Sequence, residues 1–590
     1  RQPRGTRPLK TFLVAPKTGL PPMTGPRRLM NSRELDEEME SFNHMEEQFP
    51  QKSPRWLPIW TIPVTLISSF LILVMIRPLP WFAGHNYGPK EAVQRWSKQA
   101  NHSNERPSTP SCVHCNPCED QNECLGIVDS FFRSAPKGSL GLYRTYERAL
   151  DGGDCPQCDL SKDFDALKKR CDVYDNAVAA IYLTKRGQVE AAQEILDVFL
   201  RLMYPTDFTN IYPEELYRGL PSGRTLTLLA AAYECDTVVK AGTYDEPQVM
   251  DGAVDSGNNA WVAIAFAHFA AATGKGCYRA AAEDILRAIS ISGSCADDLD
   301  GFLARLPPAR GNHRSLEHNI DIFALAGMLR EWPLQERAQR FVESMYGKNQ
   351  DYPQAYNVGT VGSQRCGPIN SKEDGIPADG QFWNLLASVE PDADRVGKSV
   401  SWLIFSDAMW EYDKDFLSQV DPAPILHGVR FTSKGFGIQW EETAGAVIAL
   451  SHFLAYRSSG SEEEFKDRLR QRLEASRLSL RTLLKMYGAV PASVRGGNGD
   501  AYNAHNAYAP YPGGSDTGMG FSYLRMIHVA STAWSGLALL GATLEGDPIW
   551  KGANPMKMSE TETLPSGDTW CLPQQELPPS AISDRACLWK

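Results

Sequence analysis

Acidic residues recur at the beginnings of apolar stretches in this 590-residue chain. Asp255, Glu317, Asp379 and Glu441 follow one another at intervals of 62 residues, and Asp175 stands in a similar context earlier in the chain. Two carboxyl groups that flank a glycosidic bond can hydrolyse it, one as a protonated acid and the other as an ionised base or nucleophile. The spacing therefore predicts a repeated structural unit that returns a carboxylate to one common site.

Aromatic and polar side chains stand beside these carboxylates. Indole rings offer flat apolar faces to sugar rings, while amide and imidazole groups can hydrogen-bond to hydroxyls. Each residue also has a structural alternative, since carboxylates cap helices and tryptophans pack in cores. Their convergence favours a binding site, and we predict as substrate-binding residues Asp175, Asp255, Asn259, Trp261, His318, Asn319, Asp379, Gln381, Trp383, Trp440 and Trp534.

Helices are the elements that must position these residues. From Cys171 onward, apolar residues recur at helical spacing, and an apolar segment is usually followed by a more charged one. Such pairs are expected for the inner and outer helices of a toroid, where the starts of the inner helices meet at one mouth. Predicted helices cover residues 173–187, 188–203, 224–242, 258–274, 278–290, 317–332, 334–347, 381–389, 443–459, 465–488 and 528–541.

Several of these segments resemble motifs of bacterial glycoside-hydrolase-like proteins in the six-hairpin glycosidase superfamily. The matching stretches read DSGNNAW, SLEHNID, DGQFW, WEETA and VASTAW, and the resemblance covers roughly residues 170–545. It implies an all-α (α/α)6 toroid and a carbohydrate-active protein. It also implies that Glu317 and Glu441 are the catalytic acid and base of an inverting glycoside hydrolase, in either order. Glu442 stands where the relatives usually have glycine.

A membrane anchor is predicted before this domain. Residues 56–76 are uncharged and long enough to cross a ~30 Å hydrocarbon core as one transmembrane helix in the lipid bilayer. All thirteen cysteines and the sequon at Asn101 follow this segment. Because disulfides and N-glycans belong to oxidising compartments, we predict a type II membrane protein whose C-terminal domain is extracellular or in the secretory-pathway lumen.

The predicted organisation has six parts. They are a disordered cytoplasmic tail (1–55), the transmembrane helix (56–76), a stem (77–110), a cysteine-rich entry segment (111–170), the toroid (171–560) and a C-terminal strap (561–590). The closely spaced cysteines of the entry segment suit either a metal or iron–sulfur site or disulfides, and an oxidising compartment favours disulfides.

Composition and motifs exclude some functions and leave others open. A net charge of −11 argues against nucleic-acid binding. The sequence has no P-loop, dinucleotide fingerprint or His-Glu-x-x-His zinc motif, so no cofactor is predicted. Two alternatives to hydrolysis stay open. One is a lyase or epimerase with His318, His505 or Tyr508 as bases. The other is a non-catalytic glycan-binding or scaffolding subunit with a membrane glycosyltransferase as its partner.

Overall fold

The computed structural model describes one compact part of the chain, within Ser103–Lys590. The predicted tail, membrane segment and stem lie outside the described residues, as do His505 and Tyr508. No helix among the described residues is long and apolar enough to cross a membrane. The described residues are 117–150, 169–205, 215–236, 239–240, 243–244, 249–308, 311–362, 364–370, 375–414, 424–458, 462–495, 514–541, 553–559, 561–566 and 571.

The described part is rich in helix, with twelve α-helices. They are α1 (Gln121–Ser134), α2 (Val173–Lys185), α3 (Val189–Met203), α4 (Ser256–Thr273), α5 (Gly276–Gly293), α6 (Leu316–Leu329), α7 (Trp332–Ser344), α8 (Asp379–Ala387), α9 (Ala393–Phe405), α10 (Trp440–His452), α11 (Glu463–Tyr487) and α12 (Val529–Leu540). One π-helical turn, Phe453–Arg457, follows α10.

Six of these helices pack side by side in a closed cycle. The order is α2, α4, α6, α8, α10 and α12, and α12 returns to contact α2. Almost all of their residues are buried, as expected for helices with neighbours on every side. Each inner helix is also covered by an outer one, in the pairs α2–α3, α4–α5, α6–α7, α8–α9, α10–α11 and α12–α1.

In the described part of the chain, thirteen short strands lie between the helices, all in antiparallel pairs. They form one three-stranded sheet, β2–β3–β6, and the two-stranded pairs β1–β13, β4–β5, β7–β8, β9–β10 and β11–β12. Their bounds are β1 Tyr146–Ala149, β2 Arg170–Asp172, β3 Ala232–Glu234, β4 Val239–Lys240, β5 Thr243–Tyr244, β6 Val249–Asp251, β7 Val254–Asp255, β8 Arg305–Leu306, β9 Trp410–Lys414, β10 Ile425–Val429, β11 Gly514–Asp516, β12 Ser522–Leu524 and β13 Met526–His528. Because these strands are only two to five residues long, the described part of the chain is predominantly helical, as predicted.

One side chain near the start of each inner helix binds the backbone of a preceding segment. In α4, Asn259 accepts from the Leu229 amide (2.9 Å) and donates to the carbonyls of Leu229 (3.0 Å) and Asp255 (2.9 Å). Because these bonds tie the helix to a buried extended segment, they fix where it begins. The equivalent residues, here called the clamp residues, are Asn176, Asn259, Asn319, Gln381, Thr443 and Thr532.

The prediction of a helix over residues 224–242 is wrong. The described residues in this range form no helix and include β3. Leu229 gives both backbone groups to the clamp residue Asn259, and Cys235 forms a disulfide with Cys171. In a short buried apolar segment, the spacing of apolar residues does not distinguish a helix from a strand. Tertiary contacts therefore determine its conformation.

Two helices, α1 and α9, were not predicted from the sequence. Helix α1 lies within the segment predicted as a cysteine-rich entry, and Asp120 caps it by accepting from the Glu123 amide (2.8 Å). Arg481 of α11 donates to the Cys118 carbonyl (2.9 Å), and α1 packs against both α11 and α12. This segment therefore supplies the outer partner of the last inner helix.

The eight cysteines that the structure describes form disulfides, as predicted. The four described bonds are Cys118–Cys124, Cys171–Cys235, Cys277–Cys571 and Cys295–Cys366. The bond to Cys571 ties the C-terminal strap to α5. Strap contacts begin before the predicted boundary at residue 561, because Pro555 accepts from His268 Nε2 (2.9 Å) and Asn554 donates to Leu386 (3.0 Å). The strap thus covers the C-terminal ends of α4 and α8.

Candidate active site

Four side chains occupy equivalent positions at the starts of four inner helices. Glu317, Asp379, Glu441 and Tyr174 each lie two residues before a clamp residue. The 62-residue spacing between the three carboxylates therefore reflects structural equivalence. Asp255 lies four residues before its clamp residue, Asn259, and is therefore not equivalent to the other three. The 62 residues between Asp255 and Glu317 result from the length of the intervening loops.

Glu441 belongs to a network of side chains from three inner helices. The Tyr174 hydroxyl donates to Glu441 Oε1 (2.6 Å) and accepts from the Trp534 indole (2.9 Å). His528 lies on the other side, with Nδ1 3.8 Å from Glu441 Oε2 and Nε2 3.3 Å from Asp175 Oδ2. Burial raises the pKa of Glu441 to about 7, although His528 and Tyr174 favour its charged form. The predicted residues Asp175 and Glu441 therefore do lie together.

Glu317 has a different environment. Its side chain keeps some solvent contact, and its carboxyl group has no hydrogen-bond partner among the described residues. Surrounding protein raises the pKa of Glu317 well above its usual range, and the charge of Asp379 raises it further. Asp379 itself is buried, accepts from the Gly380 amide, and has its pKa raised by burial to about 7.

Two further carboxylates complete the cluster. Glu442, next to Glu441, is 3% exposed, and its Oε2 has no protein partner among the described residues. Asp321 is fully buried one helical turn after Glu317, and the Trp261 indole is its neighbouring donor. Burial, followed by the charge of Asp379, raises the pKa of both groups well above their usual range.

Glu442, Asp321, Tyr174 and His528 were not predicted as site residues from the sequence. Glu442 lies in the motif WEETA and Asp321 in the motif SLEHNID. Their acidic character within these motifs is the sequence signal that could have identified them as site residues. Tyr174 and His528 left no such signal, because they reach the cluster through contacts between distant parts of the chain.

Three of the predicted stacking tryptophans pack against one another near the starts of three inner helices. Trp261, Trp383 and Trp534 each lie two residues after a clamp residue, and all are at most 3% exposed. Their ring centroids are 5.2–6.1 Å apart, and Tyr174 packs on two of them. Trp440 is fully buried as well. Because their faces are covered, we correct the predicted role of all four from sugar stacking to packing.

The predicted amide ligands are also structural. Asn259, Asn319 and Gln381 are clamp residues, and both N–H donors of each amide bind backbone carbonyls. Each amide oxygen accepts from a backbone N–H. No donor is left for a sugar hydroxyl, so the predicted substrate-binding role of these three residues is corrected to positioning of the helix starts.

Asp255 and His318 lie at the edge of the cluster. Asp255 pairs with Arg305 (3.1 Å), a residue that is half exposed. His318 Nδ1 is 3.0 Å from the Ala304 carbonyl, which assigns the proton to Nδ1 and leaves Nε2 as an acceptor. Burial lowers the pKa of His318, so this neutral form is favoured.

An aromatic group that the sequence analysis did not single out connects the cluster to the surface. The Tyr523 ring is 6.0 Å from His528, and the Phe521 ring is 5.8 Å from that of Tyr523. Phe521 is 49% exposed and also packs against Phe431. Its open face has the flat apolar surface that the buried tryptophans lack.

The arrangement suits proton transfer between carboxylates and a substrate. Within the described part of the chain, no three acidic, histidine or cysteine side chains stand close enough to hold a metal ion. The chemistry that the described side chains can supply is that of acids and bases in different environments.

Comparisons with known proteins found no matching family model and no matching curated protein. Similar solved structures include a D-mannose isomerase, 8% identical, with 74% of this chain and 98% of that chain covered and a TM-score of 0.44. A family 76 glycoside hydrolase from a bovine Bacteroides thetaiotaomicron strain is 8% identical, with 72% and 79% covered and a TM-score of 0.45. An alpha-amylase from Clostridium perfringens is 10% identical, with 70% and 96% covered and a TM-score of 0.41. At such identities and TM-scores, the activities of these proteins do not transfer to this chain.

Proposed function

We propose that this chain is a carbohydrate-active enzyme, a glycoside hydrolase built on an (α/α)6 toroid. The closed cycle of six helix pairs supports the toroid. The observation that carries the activity is the cluster itself. Three inner helices bring Glu317, Asp379 and Glu441 to equivalent positions, and the environments of Glu317 and Glu441 differ.

Glu317 is the general acid in this proposal. A general acid must hold its proton at the working pH, and Glu317 combines a raised pKa with the absence of a described hydrogen bond to its charged form. Asp379 favours that protonated state by its nearby charge. The partial solvent contact of Glu317 lets a glycosidic oxygen approach.

Glu441 is the general base. The Tyr174 hydroxyl and His528 favour its ionised form relative to Glu317. In the inverting reaction that the motifs imply, a water oxygen attacks the anomeric carbon while its proton passes to Glu441. The bond from that carbon to the glycosidic oxygen breaks, and the leaving oxygen takes the proton of Glu317.

The test is a panel of oligosaccharides and polysaccharides incubated with the full chain, with new reducing ends as the readout. We expect Glu317→Gln and Glu441→Gln each to lower turnover at least ~100-fold, with an unchanged circular dichroism spectrum. Glu464→Gln, at an exposed position of α11, is the matched control and should keep wild-type turnover. Full turnover in either site variant would refute the assignment. Binding without turnover in the wild type would favour a glycan-binding subunit beside a glycosyltransferase.

A sugar isomerase or epimerase is the second candidate, favoured by one observation. The proton of His318 is held at Nδ1 by Ala304, so Nε2 is an unprotonated nitrogen beside the cluster, as a base acting next to a carbonyl requires. His528 is less suitable, because both of its ring nitrogens contact Ser531 or Asp175. Solvent deuterium incorporated into a free sugar, and lost in His318→Gln, would select this candidate over hydrolysis.

We also propose that residues 56–76 anchor the protein as a type II membrane protein, with the domain in an oxidising compartment. The four described disulfides support this placement. Protease treatment of intact microsomes provides the test. The C-terminal domain should be protected until detergent is added, and digestion in intact vesicles would contradict the orientation.

A further inference from the structure

The proposed active site holds more carboxyl groups than cationic side chains. Glu317, Asp321, Asp379, Glu441 and Glu442 form one cluster, in which these groups raise one another's pKa. Within the described part of the chain, none of the five forms an ion pair with a lysine or arginine. The nearest cationic candidate, His528, is shared between Asp175 and Glu441. The cluster therefore contains fewer positive groups than carboxyl groups.

One of these carboxylates is buried with an unsatisfied oxygen. Glu442 is 3% exposed, and its Oε2 lacks a described partner. Asp321 is fully buried, with the Trp261 indole as its neighbouring donor. A buried carboxyl group without hydrogen bonds costs free energy, and this cost falls when a donor or a positive charge binds. Glu442 is adjacent in sequence to the proposed base Glu441, and the charges of Asp379 and Glu441 act on it.

We propose that the sugar bound in this site carries a protonated amino group, so that the substrate is a glycan of amino sugars with free amines. This inference rests on the proposed hydrolase function and names its substrate class. An ammonium group offers three donors in a compact positive charge and can satisfy the oxygens of two carboxylates together. A sugar with its own carboxylate would be repelled, and an N-acetylated amine would bring neither the charge nor the three donors.

A metal ion is a poorer counter-charge for this cluster. A bound divalent cation needs several ligands at short and regular distances. Among the described residues, no three acidic, histidine or cysteine side chains meet that condition. An ammonium group bonds to two carboxylates at ordinary hydrogen-bond distances and tolerates a looser arrangement.

The experiment compares glycans that differ only in their amines. Chitosan oligomers, their N-acetylated forms and glucose oligomers of the same linkage are titrated calorimetrically into the full chain carrying Glu317→Gln, which prevents turnover. A galactosamine oligomer and its N-acetylated form provide a second pair. Glu442→Gln is added to this background, and Glu464→Gln serves as the matched charge-removal control. Thermal melting checks that each variant is folded.

The free-amine form of at least one pair should bind about tenfold more tightly than its acetylated form, as expected for one charged hydrogen bond. Glu442→Gln should remove this preference, while Glu464→Gln should keep it. The amine should also release protons from the cluster, seen as heat that varies with the buffer, because a bound cation favours ionised carboxylates. Equal or tighter binding of the acetylated or neutral forms, a preference that survives Glu442→Gln, or no binding of any amine form would overturn the inference. Hydrolysis of a neutral glycan that is lost in Glu317→Gln would also overturn it while supporting the proposed function.

Discussion

The Tyr174 hydroxyl donates a 2.6 Å hydrogen bond to Oε1 of Glu441, although the two residues are 267 positions apart in the sequence. The bond joins the first and fifth inner helices of the cycle, α2 and α10. The same hydroxyl accepts from Trp534, so its orientation is fixed. Tyr174 thus acts on the proposed base by favouring its ionised form.

Tyr174→Phe should shift the acid limb of the pH–activity profile to higher pH. Loss of the donor destabilises ionised Glu441, whose pKa near 7 then rises, so that the base is protonated over a wider range. A hydrogen bond to a charged group contributes about 1.5 kcal/mol or more, which corresponds to roughly one pH unit. The readout is kcat/KM against pH. Tyr523→Phe is the control, and an unshifted limb in Tyr174→Phe would contradict the role of the hydroxyl.

Asp379→Asn should shift the alkaline limb of the same profile to lower pH. After burial, the charge of Asp379 is the largest influence that raises the pKa of Glu317. Without that charge, Glu317 loses its proton at lower pH and ceases to act as an acid. If only the maximum rate changed and the limb stayed in place, Asp379 would act on the substrate and not on Glu317.

Stability should respond to pH through the same carboxylate. Folding raises the pKa of Asp379 from its usual 3.8 to about 7, so between these values the folded state holds a proton that the unfolded state has lost. Folded-state stability therefore falls as pH rises through this window. Asp379→Asn should remove that part of the loss, so that its melting temperature exceeds the wild-type value by an amount that grows with pH. The exposed Asp298→Asn control should show no such trend. If the melting temperatures of Asp379→Asn and the wild type changed with pH in parallel, the raised pKa of Asp379 would be disproved.

Asn259→Ala should destabilise the fold. The substitution removes three hydrogen bonds and leaves the buried backbone groups of Leu229 unpaired, at a cost of about 3 kcal/mol. The neighbouring Asn258→Ala, at a partly exposed position, is the control and should change stability by less than ~0.5 kcal/mol. Urea unfolding measures both. If Asn259→Ala kept the wild-type urea midpoint but had a raised KM, Asn259 would be a sugar ligand, as the sequence predicted.

The sequence by itself predicted most of the helices, the alternation of apolar and charged segments, the presence of disulfides but not their pairing, and the equivalence of Glu317, Asp379 and Glu441, to which it wrongly added Asp255. These features have local or periodic signatures, because helical spacing and a repeat of 62 residues are visible along the chain.

Only the tertiary structure decided what many individual side chains do. Asn259, Asn319 and Gln381 resemble sugar ligands in sequence, but their hydrogen-bonding groups are used by backbone segments that precede each helix. The tryptophans are covered because the helices close into a cycle, and His528 and Tyr174 reach Asp175 and Glu441 through that closure. Burial and partner identity arise from contacts between distant parts of the chain, and these contacts leave no period in the sequence.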